Sequence, residues 1–184
     1  AALGADSGAV IVKKDSPFQS LKDVVAALQK DPTKVVFGAG GTVGSQDWMK
    51  AALTARAAGV NPRAMRFVAF EGGGEAVTAL QGGHIQVYSG DAAKASQQIS
   101  AGTPIRVLAV FAEQRLPGAM SKVPTAKEQG YDITLIEDAH TCTSYEWNGR
   151  TVNAQAVVEE QNDNFNEQLP GRGGRTLPLA HLSL

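Results

Sequence analysis

Short apolar runs alternate with stretches of helical spacing along the first three quarters of this chain. Ala9 to Val12 reads as a strand, left by Lys13, Lys14 and Asp15 and ended by Pro17. Ser20 then caps a helix, with Asp23 three residues on in a weaker form of the capping box. Leu21, Val24, Val25 and Leu28 supply one apolar helical face, and Asp31-Pro32 stops it. Val35 to Phe37 predicts a second strand. From Ser45, a favourable N-cap type, a helix carrying Met49, Ala52, Leu53 and Ala57 runs to about Ala58, with Gly59 as its C′ residue. Asn61-Pro62 is a turn signal.

The third strand is expected over Met65 to Phe70, followed by a short helix with Ala76, Val77 and Leu80 inward and Gly82-Gly83 at its end. A fourth is expected over Ile85 to Ser89, followed by a helix with Asp91 as N-cap candidate and Gly102 closing it. Ile105 to Phe111 is almost wholly apolar, as a strand covered on both faces should be. Thr125 and Glu128 form a capping box for a single turn ended by Gly130, and Ile133 to Ile136 reads as a last strand.

Strand and helix alternating in this way predict an α/β fold: an open, mostly parallel sheet with helices on both faces. Its core is expected to comprise Val10, Val12, Val35, Phe37, Phe67, Ile85, Val87, Val107, Leu108 and Ala109. The loops after Phe37, Phe70 and Ser89 all leave carboxyl ends of strands, the edge where ligands of open α/β sheets bind. The first loop holds Gly38, Gly40, Gly41 and Gly44 before Ser45. Glycines allow close backbone approach, and a helix start offers unpaired N–H groups and partial positive charge, a ready anion site. A tight βα turn that binds nothing explains the same residues. The dinucleotide fingerprint fails, since Val43 stands three residues after Gly40, and no Lys-Ser/Thr pair closes a phosphate loop.

Composition narrows the function classes. The 184 residues suit one domain, or one plus an appendage, with 43% hydrophobic and 19% charged residues. A net charge of −1 gives no electrostatic case for nucleic acid or an anionic membrane. The single cysteine, Cys142, excludes an internal disulfide framework, and no apolar run is long enough to span a bilayer. The amino terminus lacks the basic and apolar regions of a signal peptide. No cofactor and no metal site is expected: His140 and Cys142 lie close but lack two further zinc ligands.

Past about Leu135 the pattern changes. TCTSYEWNGRTVNAQ is polar without clear periodicity, Val152 to Leu169 is rich in Asn, Gln and Glu with helical potential, and a Gly-, Pro- and Arg-containing tail follows. Residues 1–134 are therefore read as a ligand-binding α/β lobe. Residues 135–184 are read as an atypical C-terminal segment, poorly ordered or foreign, and expected to be cut readily by proteases.

Five stretches carry a resemblance: VKKDSPFQSLKDVVAAL, KVVFGAGGTVGSQDWMKAAL, FVAFEGGGEAVTALQGGHIQVYSGD, IRVLAVFAEQRLPG and VPTAKEQGYDI. In this order, from about Ser7 to Ile133, they resemble the tripartite tricarboxylate transporter receptors, the TctC/Bug family of extracytoplasmic solute-binding proteins. The resemblance implies a lobe of a periplasmic-binding-protein-like (type II) fold, whose two lobes hold a small carboxylate between them. It implies delivery of that ligand to membrane transporter subunits, and a periplasmic location. Relative to the family, the chain is expected to lack a first lobe, and LIEDAHTCTSYEWNGR departs from the aromatic segment expected there. Trp48 stands where many relatives have His.

On this reading the backbone N–H groups of Gly44, Ser45 and Gln46 take a carboxylate, with the Ser45 hydroxyl as a further donor and Thr42 flanking it. Gly72 and Gly73 offer a second set of N–H groups, and Ser89 and Asp91 read a hydroxyl, amine or bound water. Against a simple anion site, Asp47, Glu71, Glu75 and Asp91 all sit near this edge and no Arg does in sequence. Complementing helix dipoles explains Asp47 and Asp91 equally well, and solvation at a helix start explains Glu71 and Glu75.

The main alternative is a nucleotide-binding α/β enzyme using the Gly38–Gly44 loop, with Glu71 placed for a ribose. Hydrolase chemistry fits less well, because Ser45 sits in V-G-S-Q-D rather than a nucleophile elbow, and His84 reads as a turn residue. His181 lies in the tail. Trp48 reads as a packing residue. A pure interaction module would need an apolar surface stripe, which the sequence does not show.

Overall fold

The structure is a computed structural model that describes residues 7–136 together with 144–147 and 150–153. Five strands form the main sheet: β1 (Gly8–Lys13), β2 (Val36–Gly40), β3 (Arg66–Phe70), β4 (Val87–Asp91) and β5 (Ile105–Phe111). Their order across the sheet is β3-β2-β4-β1-β5. Four helices accompany them: α1 (Leu21–Lys30), α2 (Gln46–Ala57), α3 (Gly73–Gln81) and α4 (Ala92–Ser100).

Parallel pairing joins β2 to β3 and to β4, while β1 is antiparallel to both β4 and β5. Four of the five strands thus run one way, and β1 alone runs against them. An apolar run reports burial but not direction, so this reversal was invisible in the sequence. Its consequence for the site is direct. The carboxyl ends of β2, β3, β4 and β5 and the start of β1 share one edge, where Gly8 pairs with Asp91 and with Phe111.

Helices cover both faces. Val10, Val12, Phe37, Val87 and Phe111 pack with α1 and α2 on one side; Ala9, Ile11, Val36, Tyr88 and Val110 pack with α3 and α4 on the other. Alternation breaks in β5, where the register shifts between Val10 and Ile11. Leu108 and Ala109 consequently both belong to the α1/α2 core, and Val107 to the opposite one. The bulge is tied down by buried Gln129, whose Nε2 donates to the Leu108 carbonyl (2.9 Å) while its Oε1 accepts from the first amide of α1, Leu21 (2.8 Å).

Of the expected core only Phe67 is incompletely buried, because β3 is an edge strand with an otherwise mostly exposed surface. The capping boxes of Ser20/Asp23 and Thr125/Glu128 both form. The fourth strand begins two residues later than the apolar run suggests. Gln86 donates its amide to the Val36 carbonyl (3.0 Å) and accepts the Val36 amide on its side chain (2.8 Å), so the regular ladder starts at Val87.

A second, antiparallel sheet has the order β6-β7-β8: β6 (Ile133–Ile136), β7 (Ser144–Trp147) and β8 (Arg150–Asn153). β7 and β8 were not placed by sequence reading, although Asn148-Gly149 between them is the dipeptide of a two-residue hairpin. The helix expected over Val152 to Leu169 is corrected at its start, where Val152 and Asn153 pair with β7 as strand residues. Its remainder, the tail, His140, Cys142 and His181 lie outside the described residues.

Candidate functional site

Three helices start at the carboxyl edge of the sheet, and each start is built differently. The loop from β2 to α2 turns through Gly41 (φ 85°) and Gly44 (φ 91°), a left-handed conformation that side chains rarely adopt. The Gly41 amide donates to the Phe70 carbonyl at 2.7 Å, which ties this loop to the end of β3. Ser45 is the N-cap of α2. Its hydroxyl oxygen accepts from the Trp48 amide (3.2 Å) and its hydroxyl donates to the Gly40 carbonyl (3.3 Å). Thr42, Gly44 and Gln46 are exposed beside it.

α3 starts at Gly72, which supplies no side-chain cap. A methyl group on Gly40 would lie 3.3 Å from Asp47 Oδ2 and 3.4 Å from the Gly73 nitrogen. The loop, the first turn of α2 and the first turn of α3 therefore meet around the Gly40 backbone. Glu71 and Glu75 are exposed, and the Glu71 amide donates to Glu75 (3.3 Å).

α4 starts at Asp91, whose side chain does not cap its own helix. It is taken by cations instead. Lys50 Nζ lies 2.6 Å from Asp91 Oδ1 and 2.8 Å from Asp47 Oδ1, and Lys94 Nζ lies 2.7 Å from Asp91 Oδ2. The Lys50 side chain is wholly buried, while Lys94 is on the surface. Ser89, fully buried, donates its hydroxyl to the Asp47 carbonyl (2.8 Å). Of the residues expected to face a ligand, Ser45, Ser89 and Asp91 thus have partners within the fold. The Ser45 amide donates to the Thr42 carbonyl (3.0 Å) and its hydroxyl to the Gly40 carbonyl, so neither is the open donor expected. Asp47 keeps one oxygen toward Gly40.

Burial lowers the tendency of Lys50 to hold its proton, but Asp47 and Asp91 more than offset this and raise its pKa, so it stays charged. Burial raises Asp91; hydrogen bonds and charge from Lys50 and Lys94 outweigh it and hold the carboxyl below 3.8. Asp47 is held above 3.8, burial prevailing over the hydrogen-bonded ammonium of Lys50 and the charge of Lys94. Tyr88 is pushed up to about 12 by burial and then by Asp47 and Asp91, so its hydroxyl remains a proton donor. A methyl group on Gly73 would sit 2.6 Å from that hydroxyl oxygen, which puts Tyr88 at the start of α3.

Lys50 and Tyr88 were missed by sequence reading. The signal for Lys50 was present: a lysine three residues after Asp47 and inside a stretch where Trp48 to Ala55 are all buried. Trp48 is 2% exposed and packs in the α1/α2 core, as a structural residue should. It lies beneath a groove of about 540 Å³ beside the loop, rimmed by Val43, Arg63 and Phe67. Among the described residues, no three His, Cys, Asp or Glu are grouped to hold a metal ion.

The family model of the tripartite tricarboxylate transporter family receptor, TctC, matches residues 1–138. A TctC solute-binding protein from Polaromonas has a similar structure: TM-score 0.58, 27% identity, with 89% of this chain and 54% of that one covered. MatC from Rhodopseudomonas palustris with bound malate has TM-score 0.59 and 22% identity over 68% of this chain and 40% of its own. An R. palustris protein with adipate has TM-score 0.59 and 21% identity over 86% and 50%. The chain thus spans about half the length of these solved structures. No match is found among curated proteins. With three quarters of its length matched by the receptor model and a similar structure in a TctC solute-binding protein, the chain belongs to the TctC family of solute-binding receptors.

Proposed function

We propose that this chain contributes a binding lobe for a small carboxylate, such as a di- or tricarboxylate, held for delivery to membrane transporter subunits in the periplasm. The observation that carries the reading is the meeting of the α2 and α3 starts around Gly40, in a chain of the TctC family. The helix-start backbone around Gly44, Ser45, Gln46, Gly72 and Gly73 carries partial positive charge suited to a carboxylate, although the Ser45 amide itself donates to the Thr42 carbonyl (3.0 Å). Thr42 flanks them, Asp47 and Glu71 border them, and Ser89 and Asp91 support the edge from within. Relatives with bound malate and adipate favour this class of ligand.

Titration of the 184-residue chain with malate, adipate, citrate and NAD, followed by amide NMR shifts, tests the proposal. Carboxylates are expected to move the amides of Gly44, Ser45 and Gly73, and NAD to leave them unchanged. A response to NAD alone would favour the nucleotide reading instead. Affinity is expected to be about millimolar at best, because a few hydrogen bonds netting about 0.5–1.5 kcal/mol each work against an association cost of about 4–15 kcal/mol. A ligand enclosed from one side also keeps competing water.

A further inference from the structure

We infer that Lys50 is a positioning residue for anion binding: its buried ammonium cancels carboxylate charge at the sheet edge, so that an anionic ligand can reach the helix starts. The inference rests on the carboxylate-receptor reading given above.

The sequence presents a difficulty for that reading, since acidic residues crowd the edge with no arginine near them in sequence. The fold brings Arg63 to the groove that Gly44 and Trp48 line, but the carboxylates of Asp47 and Asp91 are paired by lysines. The geometry resolves it. Asp47 and Asp91 are matched by Lys50 and Lys94, and the four charges sum to zero. Lys50 is central to this balance because it bridges both carboxylates from a wholly buried position. Solvent ions cannot take its place there, and little screening weakens its field. Asp47 Oδ2 and the Gly73 nitrogen both approach the Gly40 backbone, where a ligand would meet the helix starts. Without Lys50, that carboxylate would be a fixed negative charge at the mouth of an anion site. With it, the partial positive charge of the α2 and α3 starts prevails. Lys50 acts through Asp47 and Asp91, being itself buried away from solvent.

Charge balance distinguishes this role from packing or direct contact. The 184-residue chain and its Lys50→Met, Asp47→Asn and Asp47→Asn/Lys50→Met variants are titrated with malate by amide NMR, and each fold is checked by circular dichroism. Lys50→Met leaves the edge one charge more negative, and should weaken malate about tenfold, the order expected of a unit-charge change beside a partly desolvated site. Asp47→Asn leaves it one charge more positive, and should strengthen malate several-fold. The double variant restores the wild-type net charge and should return close to the wild-type value. A double variant as weak as Lys50→Met would overturn the inference, since lost packing or a lost ligand contact is not repaired by neutralising Asp47. Weaker binding in Asp47→Asn would overturn it too, by making Asp47 a direct contact. If Lys50→Met does not fold, Asp47→Asn and the double variant still decide. A wild-type chain that binds none of malate, adipate and citrate defeats the receptor reading and this inference with it. Malate binding with a different order among the variants defeats the inference alone.

Discussion

The starts of α2 and α3 face the same space and are built by opposite means. α2 is closed by side chains: Ser45 takes the Trp48 amide, Asp47 pairs with Lys50, and every residue from Trp48 to Ala55 is buried. α3 is left mostly to its backbone: Gly72 caps nothing with a side chain, the exposed Glu75 carboxylate accepts the Glu71 amide that precedes the helix (3.3 Å), and Gly74 of its first turn is exposed. A helix start has a fixed number of unpaired amides. Each one satisfied from within improves rigidity and subtracts a donor from any ligand. The α2 start therefore fixes the geometry of the site, and the α3 start keeps more of its donors open. A site that needs both position and donors is served by one of each.

The contrast is broken most forcefully at Lys50. Replacing it by Met leaves two half-buried carboxylates without their shared cation, which should cost about 3 kcal/mol or more in urea unfolding. Glu75→Ala, in the first turn of α3, should change stability by less than about 0.5 kcal/mol. If Lys50→Met costs no more than Glu75→Ala, α2 is not braced by this network.

A second pair sharpens the α3 side. A methyl on Gly73 would sit 2.6 Å from the Tyr88 hydroxyl oxygen, and Tyr88 is only 3% exposed, so the ring has little room to withdraw. Gly73→Ala should cost about 1–3 kcal/mol and disturb malate binding. Gly74→Ala meets nothing within 4 Å and should be neutral or stabilising by up to about 1 kcal/mol, since alanine is the better helix former. Equal thermal midpoints for the two variants would show that Tyr88 does not confine this turn. Next in size is Ser45→Ala, which removes the cap on Trp48 and should cost about 1 kcal/mol, read as a lower unfolding midpoint.

Much of this was legible from pattern. Ile105–Phe111 appears with the bounds its apolar run suggests, and the face of Leu21, Val24, Val25 and Leu28 is buried. Local signals sufficed there because burial and capping are decided within a few residues. The reversal of β1 and the bulge at Leu108 are properties of pairing with distant strands, and no local run encodes them. At the site, the glycine loop and the Ser45 cap were readable for the same local reason. The role of Asp91 was not. Its spacing marks it as a helix cap, and only the long-range approach of Lys50, 41 residues earlier, turns its carboxylate elsewhere.

The smallest effect concerns pH, and it separates Asp91 from Asp47 although both hold the same ammonium. Asp91 has its folded pKa below 3.8, through Lys50 and Lys94 acting against burial. A depressed carboxyl contributes stability above its unfolded value, and that contribution fades as pH falls through the folded one. Asp47 has its folded pKa above 3.8, with burial ahead of Lys50. There the native state takes up the proton first, so stability is gained as pH falls from the raised value toward 3.8. The two carboxylates thus bend the curve in opposite senses on either side of that point. Urea midpoints measured from pH 7 to pH 3 should show Asp91→Asn flattening the loss at the acid end. Asp47→Asn should remove the shallow gain just above it. Variant curves that run parallel to wild type throughout would mean that neither carboxyl changes its proton affinity on folding, and the asymmetry between the two carboxylates would have no energetic expression.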